Sequence, residues 1–183
     1  MLYESGLNIQ IAIKMTTLQA QAGLPRKFQW LPLIVSIVIT EGIAATASMF
    51  TISQIPVWYV TLNKPSFNPP NWLFGPVWTI LYIMIAVAAY LVWQRRDNSP
   101  LYKTTRVVYI VQLILNFAWS ATFFGMHQVL GALVVIALLW ISIVACIYYF
   151  GKFSKVAAWL LVPYLLWVSF ASVLNLYIYL LNR

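Results

Sequence analysis

The sequence predicts an all-α integral membrane protein, a five-transmembrane-helix bundle. Of its 183 residues, 63% are hydrophobic and only 8% are charged, whereas a soluble domain of this size carries about a quarter charged residues. A helix that crosses the hydrocarbon core needs about 20 apolar residues. Five stretches qualify, at residues 31–51, 72–93, 107–124, 129–150 and 156–181, the third being the shortest. Helices are expected rather than strands because backbone polar groups must be satisfied within each segment in lipid.

The chain divides into an N-terminal tail, residues 1–29, and a single membrane domain, residues 30–183. The tail is polar and rich in glutamine, and its apolar patch is interrupted by Asn8 and Gln10, so it does not resemble a secretory signal. It is either a loose, disordered segment or a stretch that precedes a true start at Met15. Within the domain, residues 52–71 form a proline-rich loop that we expect to be a stiff lid.

Lysine and arginine are unequally divided between the two sides of the membrane. One side collects Lys14, Arg26, Lys27, Arg95, Arg96, Lys103, Arg106, Lys152 and Lys155, and the other only Lys64 and Arg183. The positive-inside rule therefore predicts a multi-pass protein with a cytoplasmic N-terminus, and with the first loop and the C-terminus on the opposite side. The net charge of +8 is assigned to lipid headgroups, and nucleic-acid binding is not expected, since no polar face carries a basic patch.

The sequence offers no conventional catalytic or metal centre. Cys146 is the single cysteine and lies inside an apolar run, and the single histidine, His127, lies in a short loop. A disulfide and redox chemistry are therefore not expected, nor is ligation of haem iron. A Ser-His-Asp set and a phosphate-binding glycine loop are also missing. The sequence thus requires no cofactor.

Three of the predicted helices carry a stripe of aromatic and amide side chains. The stripes are Trp78, Tyr82, Ile85 and Ala89 on the second helix, Gln112, Asn116, Trp119 and Phe123 on the third, and Tyr164, Trp167, Ala171 and Asn175 on the fifth. Amides are costly in lipid unless paired, so the stripes should face the bundle interior and could wall a pocket for a small molecule. The alternative is plain packing, in which the amides tie helices together.

Glu41 lies in the middle of the first predicted helix, with no lysine or arginine at the same depth. We expect it to be protonated or hydrogen-bonded inside the bundle. Two interpretations stay open: a proton-coupling group, or a neutral acid bonded to a threonine, an asparagine or a backbone carbonyl. The pairs Gly42/Thr46 and Ala44/Ser48 beside it have the small-xxx-small spacing that permits close helix contact, either in a dimer or within the monomer.

Four blocks of proline, aromatic and amide residues follow one another along the chain. They are Trp58-Tyr59 with Lys64-Pro65 and Asn68-Pro69-Pro70-x-Trp72; Pro76-Val77-Trp78-x3-Tyr82; Gln112-Leu113-x-Leu115-Asn116-x2-Trp119-x3-Phe123-Phe124-Gly125; and Pro163-Tyr164-x2-Trp167-x3-Ala171-x2-Leu174-Asn175. In order and spacing they resemble the TspO/MBR family, the tryptophan-rich sensory proteins and translocator (peripheral-type benzodiazepine receptor) proteins. The resemblance covers about residues 31–182.

The resemblance implies a five-helix bundle, often a homodimer, that binds porphyrins such as protoporphyrin IX and haem, and in some members cholesterol. It implies a pocket under the first loop lined by Tyr59, Trp78, Asn116, Trp119, Trp167 and Ala171, with Pro69 and Pro70 in the lid. The helical stripes add Tyr82, Phe123 and Tyr164, and Lys64 and Pro65 belong to the same lid. Phe67 stands where the family usually has tryptophan. The family's sterol motif is met loosely by Val173, Tyr177 and Arg183.

The leading functional hypothesis is a membrane receptor or carrier for porphyrins, with sensing or transport of tetrapyrroles. Trp78, Trp119 and Trp167 would stack on the macrocycle, while Asn116 and Lys64 would meet its polar edges. One alternative is a light-dependent porphyrin-degrading enzyme, in which the resemblance implicates Trp78 and Trp167. The other is a proton-coupled exporter of small molecules that uses Glu41.

Overall fold

The structure, a computed structural model, describes Gln10, Ile13 and residues 27–183. Within that part the helices are α1 (Trp30–Gln54), α2 (Phe74–Gln94), α3 (Pro100–Ser120), α4 (Val129–Phe153), α5 (Lys155–Leu160) and α6 (Val162–Leu181). Short 3₁₀ turns occur at Tyr59–Thr61 and Asn71–Leu73, and a π-helical turn, Ala121–Gly125, extends α3. The expectation of a loose tail at residues 1–29 falls almost wholly outside the described residues.

In the described chain, five helical units are long and apolar enough to cross a membrane. They are Trp30–Gln54, Asn71–Gln94, Pro100–Gly125, Val129–Phe153 and Lys155–Leu181. Residues 27–183 contain helices, turns and loops but no strand. The predicted all-α five-helix membrane bundle is therefore confirmed.

Two of the predicted boundaries were wrong. The third helix begins at Pro100 rather than at residue 107, because the Ser99 hydroxyl accepts a hydrogen bond from the Tyr102 amide at 3.1 Å and Pro100 occupies the first turn. Its polar first turns carry Lys103 and belong to the headgroup zone, so an apolar window missed them. Helix α1 likewise continues to Gln54, which leaves residues 55–70 as the loop; we call these residues the lid loop.

The fifth span is broken near its start. Helix α5 ends at Leu160, Leu161 adopts φ −87° and ψ −10°, and α6 begins at Val162. Pro163 explains the break, since proline has no amide hydrogen and its ring collides with the carbonyl four residues earlier. The break sets the direction in which α6 approaches the rest of the bundle.

Helix α1 is the least buried of the spans, and hydroxyl groups attach it to the bundle. Only Thr40 and Ala47 of α1 are buried, although α1 packs along α2 about as extensively as α3 packs on α4. The Thr40 hydroxyl shares a hydrogen bond with Tyr109 at 3.2 Å, and the Ser36 hydroxyl donates to the Ala86 carbonyl at 2.9 Å. The Ser120 hydroxyl donates to the Ala47 carbonyl at 3.0 Å. Helix α1 is thus attached to α2 by packing and to α3 by hydroxyl groups, and unfilled space remains beside it toward both ends.

Candidate ligand-binding cavity

A cavity of about 500 Å³ lies between α1, α2 and α3, at the end of the bundle that carries the lid loop. We call it the aromatic cavity, because rings form much of its wall: Phe74, Trp78, Tyr82, Trp119 and Phe124, with Trp72 at its edge. Its volume falls within the range of about 300–1,000 Å³ typical of small-molecule sites.

The tryptophans of the second and third spans form a continuous wall. Trp78 lies one helical turn before Tyr82, with ring centroids 5.7 Å apart, and its indole is 6.3 Å from that of Trp119 at an angle of 36°. Trp119 in turn stacks on Phe123 at 5.8 Å and 28°. The flat faces of such rings can receive a planar guest.

The π-helical turn places two consecutive phenylalanines in the interior. Phe123 and Phe124 are both buried, at 2% and 6% exposure, although neighbouring residues of a regular α-helix point about 100° apart. The Met126 amide donates to the Ala121 carbonyl at 2.8 Å, the i→i+5 bond that defines such a turn. Helical spacing predicted Phe123 for the site, but the structure places Phe124 in the cavity lining and Phe123 behind it. The regular spacing of an α-helix gives no sign of a π turn.

The buried amides form a hydrogen-bonded chain across three helices. The Tyr82 hydroxyl donates to Asn116 Oδ1 at 2.5 Å, Asn116 Nδ2 donates to the Tyr164 hydroxyl at 2.7 Å, and Tyr164 donates to Gln112 Oε1 at 3.1 Å. Asn175 accepts from Trp119 Nε1 at 3.2 Å. The amides thus lie inside the bundle as helix ties, and Asn116 also lines the aromatic cavity.

The predicted residues of the fifth span stand behind the cavity wall. Tyr164, Trp167 and Ala171 are not among the lining residues. Tyr164 contacts Trp78 with centroids 6.3 Å apart, and Trp167 contacts Phe74 at 6.1 Å. Trp167 Nε1 is enclosed and has no hydrogen-bond partner in the described part of the chain. Tyr164 and Trp167 thus form a second layer, separated from the cavity by one ring.

Glu41 lines the aromatic cavity. Its Oε1 atom is enclosed and finds no hydrogen-bond partner among the described residues, so the bond to a threonine, an asparagine or a carbonyl that one interpretation required is not formed by this oxygen. The described lining residues include no lysine or arginine. Of the small residues nearby, Ala44 and Ser48 line the cavity, whereas Gly42 and Thr46 are exposed on the outer face of α1.

The cavity opens sideways. Several lining residues are exposed, and they lie on α1 and at the start of the second span: Ala45, Ile52, Trp72, Gly75 and Thr79. These positions belong to membrane-spanning segments. The mouth is therefore a lateral gap between the two helices, facing the hydrocarbon region.

Tyr59 anchors the lid loop from below. Its side chain is only 2% exposed and packs on Phe124 with ring centroids 5.8 Å apart. Its hydroxyl donates to Asn68 Oδ1 at 2.6 Å, and burial raises the pKa of Tyr59 to about 12. Tyr59 supports the cavity wall through Phe124 and is not itself among the lining residues.

The remaining lid residues hold the loop together and attach it to the fifth span. Lys64 Nζ donates to the carbonyls of Tyr59 at 2.7 Å and Leu62 at 2.8 Å. The Pro65 carbonyl accepts a hydrogen bond from the backbone amide of Asn68 at 3.0 Å. This turn leads the chain into Pro69 and Pro70. Phe67 packs edge-on against Tyr177, with centroids 5.2 Å apart.

A reciprocal asparagine pair closes the lid loop onto the end of α6. The backbone amide of Asn63 donates to Asn182 Oδ1, and Asn182 Nδ2 donates to the backbone carbonyl of Asn63, both at 2.9 Å. The sequence analysis missed this pair, since nothing in the pattern of either segment marks a contact between residues so far apart in the chain. Nearby, Val173 and Tyr177 of the loose sterol motif are about half exposed on the outer surface of α6, and Arg183 is exposed beyond its end.

His127 belongs to a turn. It adopts φ 56°, stacks on Trp58 at 4.3 Å and 15°, and its Nε2 hydrogen-bonds with Gln54 Oε1 at 3.0 Å. Among the residues that the structure describes, no three His, Cys, Asp or Glu side chains cluster as metal ligands. The histidine fixes the connection from α3 to α4 against the end of α1.

A second cavity, of about 530 Å³, lies beside the first turns of α1 at the opposite end of the bundle. We call it the basic-end cavity. Its described lining includes the rings of Tyr90, Trp93, Tyr102, Tyr109 and Phe150, together with Arg106. The Thr40–Tyr109 hydrogen bond stands between the two cavities along α1.

Comparison with known proteins agrees with this architecture. The model of the TspO/MBR family matches residues 34–181. The chain is 46% identical over 158 residues to the tryptophan-rich protein TspO of Chlorobaculum tepidum, covering 84% of this chain and 98% of the relative. It is 44% identical over 153 residues to that of Archaeoglobus fulgidus, covering 83% and 97%. The translocator protein of Homo sapiens is 40% identical over 119 residues, covering 64% and 70%. The chain belongs to the TspO/MBR family.

Proposed function

We propose that this protein is a membrane receptor or carrier that binds porphyrins, such as protoporphyrin IX or haem, in the aromatic cavity under the lid loop. The observation that carries the proposal is the wall formed by Trp78 and Trp119, two indoles 6.3 Å apart inside the membrane-spanning part of the bundle. A tetrapyrrole is a flat, apolar ring system, and stacking on indole faces adds to the free energy gained by removing it from water.

The surrounding structure supports the proposal. The wall is fixed from behind by the hydrogen bonds of Asn116 and Asn175, so the rings are held in place before a ligand arrives, which lowers the entropic cost of binding. The lid loop is attached to α6 by the Asn63–Asn182 pair. An attached lid can retain a ligand and let it leave slowly, as a receptor or carrier requires.

The test is a titration of purified protein in detergent with protoporphyrin IX, followed by quenching of tryptophan fluorescence. We expect saturable binding that the double variant Trp78→Leu/Trp119→Leu weakens by about 30-fold or more, since each lost stacking contact is worth about 1 kcal/mol. Trp93→Leu, in the basic-end cavity, is the matched control and should change the affinity less than about twofold. Equal loss in both variants, or non-saturable quenching, would refute the proposal.

A second candidate function is light-dependent porphyrin degradation. The favouring observation is that Trp78 lies in the cavity wall and that Trp167 is one ring away through Phe74, so an excited porphyrin would have oxidisable indoles beside it. Illuminating the complex in air should then yield product in the wild type, and much less in Trp78→Phe and Trp167→Phe, whereas Trp93→Phe should react normally. Unchanged product formation in the first two variants would exclude a role for these indoles.

The proposal includes an orientation. The start of α1 and the end of α2 lie together, because the Gln29 amide donates to the Tyr90 hydroxyl at 2.8 Å, and Arg95 donates to the Phe153 carbonyl at the same end. We place this lysine- and arginine-rich end in the cytoplasm and the lid loop on the other side. In a Cys146→Ala background, an impermeant maleimide added to intact cells should label Ser66→Cys but not Asn98→Cys; the reverse result would invert the orientation.

A homodimer is also part of the proposal. The exposed face of α1 carries Gly42 and Thr46 at small-xxx-small spacing, and a side chain added at Gly42 would meet open space. Gly42→Leu should therefore leave the monomer folded and disrupt the dimer, as measured by light scattering or cross-linking in detergent. A dimer that survives this change would have to use another face.

A further inference from the structure

We infer that the aromatic cavity also takes lipophilic cations, planar ammonium or iminium compounds, with Glu41 as their counter-ion. This inference concerns the same cavity as the proposed function but does not depend on tetrapyrrole binding. A porphyrin with two carboxylates is an anionic guest, whereas the carboxylate of Glu41 favours a cationic one.

The first step is the position of the carboxyl group. Glu41 lines the cavity, and its Oε1 is enclosed without a hydrogen-bond partner among the described residues. Carboxyl groups inside a membrane normally pair with another side chain or with backbone groups, because an unpaired polar atom is expensive there. Oε1 itself is closed off from the cavity, but Glu41 is only half-buried and lines the cavity wall. Its carboxyl group is therefore a place for a donor or a cation that comes with the guest.

The second step is the absence of a competing cation. The described residues that line the cavity include no lysine, arginine or histidine. The nearest lid cation, Lys64, already donates to the carbonyls of Tyr59 and Leu62. The carboxyl group therefore faces the cavity without an internal counter-ion.

The third step is the chemistry of the surrounding rings. Trp78, Tyr82 and Trp119 line the same cavity, and the electron-rich faces of tryptophan and tyrosine attract cations, more strongly where water is excluded. Glu41 belongs to the same lining. A carboxylate beside aromatic faces is how proteins recognise an organic cation with a flat apolar body, and the lateral mouth suits a guest that already partitions into lipid.

The experiment uses two guests of nearly the same shape, the permanent cation N-methylacridinium and the uncharged 9-methylacridine, titrated at pH 8 by tryptophan fluorescence quenching in detergent. Glu41→Gln keeps the size of the side chain and removes its charge. We expect this variant to bind the cation about tenfold more weakly or worse, because a charge-assisted contact is lost. Its affinity for the neutral guest should stay within about twofold. Asp97→Asn is the matched control, an exposed carboxylate in the α2–α3 loop, and should change neither affinity.

Three results would overturn the inference: no saturable binding of N-methylacridinium to the wild type, an unchanged cation affinity in Glu41→Gln, or an equal loss for both guests, which would assign Glu41 to the shape of the cavity. Protoporphyrin IX gives an independent readout of opposite sign. Glu41→Gln should raise its affinity, because a negative charge beside the porphyrin carboxylates is removed. A failure of porphyrin binding in the wild type would refute the proposed function and leave the cation result standing.

Discussion

The two cavities beside α1 have nearly the same volume, about 500 and 530 Å³, and both are walled by aromatic rings. They differ in their charge. The described lining of the aromatic cavity contains Glu41 and no basic residue, whereas that of the basic-end cavity contains Arg106 and no acidic one. The two cavities are therefore alike in volume and aromatic content, and the sign of the charge in the lining is what differs between them.

They also differ in how their walls are held. Behind the aromatic cavity, hydrogen bonds run from Tyr82 through Asn116 and Tyr164 to Gln112 and so join three helices. The basic-end cavity has separate bonds instead of such a chain: Gln94 Nε2 donates to the Tyr90 hydroxyl at 2.7 Å within one helix, and Ser36 and Tyr109 each make one bond to a neighbouring helix. We therefore expect the first wall to be rigid and the second to adapt more easily.

The largest effect should come from removing the centre of the network. Asn116→Leu leaves the buried Tyr82 hydroxyl without its acceptor, and we expect the free energy of unfolding to fall by about 2 kcal/mol or more. The matched change at the other cavity, Gln94→Leu, should cost about 1 kcal/mol or less, since one bond within a helix is lost. Reversible denaturation in mixed micelles measures both. Similar decreases in the free energy of unfolding of the two variants would show that the two cavity walls do not differ in rigidity.

A smaller effect is expected from opening the lid. Asn182→Ala removes both bonds of the reciprocal pair that attaches the lid loop to α6, because Asn63 contributes its backbone amide and carbonyl. At about 0.5 kcal/mol for each of these two exposed hydrogen bonds, we expect protoporphyrin IX to dissociate about fivefold faster, as measured by stopped-flow fluorescence. Asn98→Ala, in the exposed loop at the basic end, is the control. If the two rates agree, the pair does not govern ligand release.

Alkaline pH should weaken the lid end through Tyr59. Because burial raises the pKa of Tyr59 to about 12, the neutral phenol is favoured in the folded state, so its contribution to stability is complete below about pH 10 and disappears as pH rises to about 12. The free energy of unfolding, measured against pH, should fall more steeply in this window for the wild type than for Tyr59→Phe. Parallel curves would show that burial in the folded state does not raise the pKa of Tyr59.

The smallest effect should come from the basic-end cavity. Arg106 is exposed and lines that cavity only, so Arg106→Gln should change the affinity for protoporphyrin IX and for N-methylacridinium by less than about twofold. Fluorescence titration tests this directly. A larger change for either ligand would mean that the two cavities communicate, or that the ligand also occupies the basic end.

Much of the fold was predictable because lipid imposes a simple rule. Apolar runs of sufficient length located all five spans. Because an unpaired amide is costly in lipid, Gln112, Asn116 and Asn175 were predicted to face the bundle interior, and all three are buried. The same rule failed at Pro100, where a helix extends beyond the hydrocarbon and is fixed by a cap rather than by hydropathy.

The candidate site was predictable in part. Helical spacing brought Trp78, Tyr82, Asn116 and Trp119 to one cavity, but it could not show that Trp167 lies a ring behind it. The distance of Trp167 from the cavity depends on how α6 is placed after the break at Leu161. Helical periodicity in the sequence does not report that placement. Whether each of these residues touches a ligand stays a prediction.

The lateral mouth between α1 and the second span has a consequence for how affinities must be measured. A guest that enters through Ala45, Gly75 and Thr79 comes from the hydrocarbon phase, so the concentration that matters is moles of ligand per mole of lipid or detergent. Doubling the detergent at constant protein and ligand would then halve the effective concentration of a strongly partitioning ligand and raise its apparent dissociation constant. Hydrophobic ligands of this protein can be ranked only at a fixed lipid-to-protein ratio.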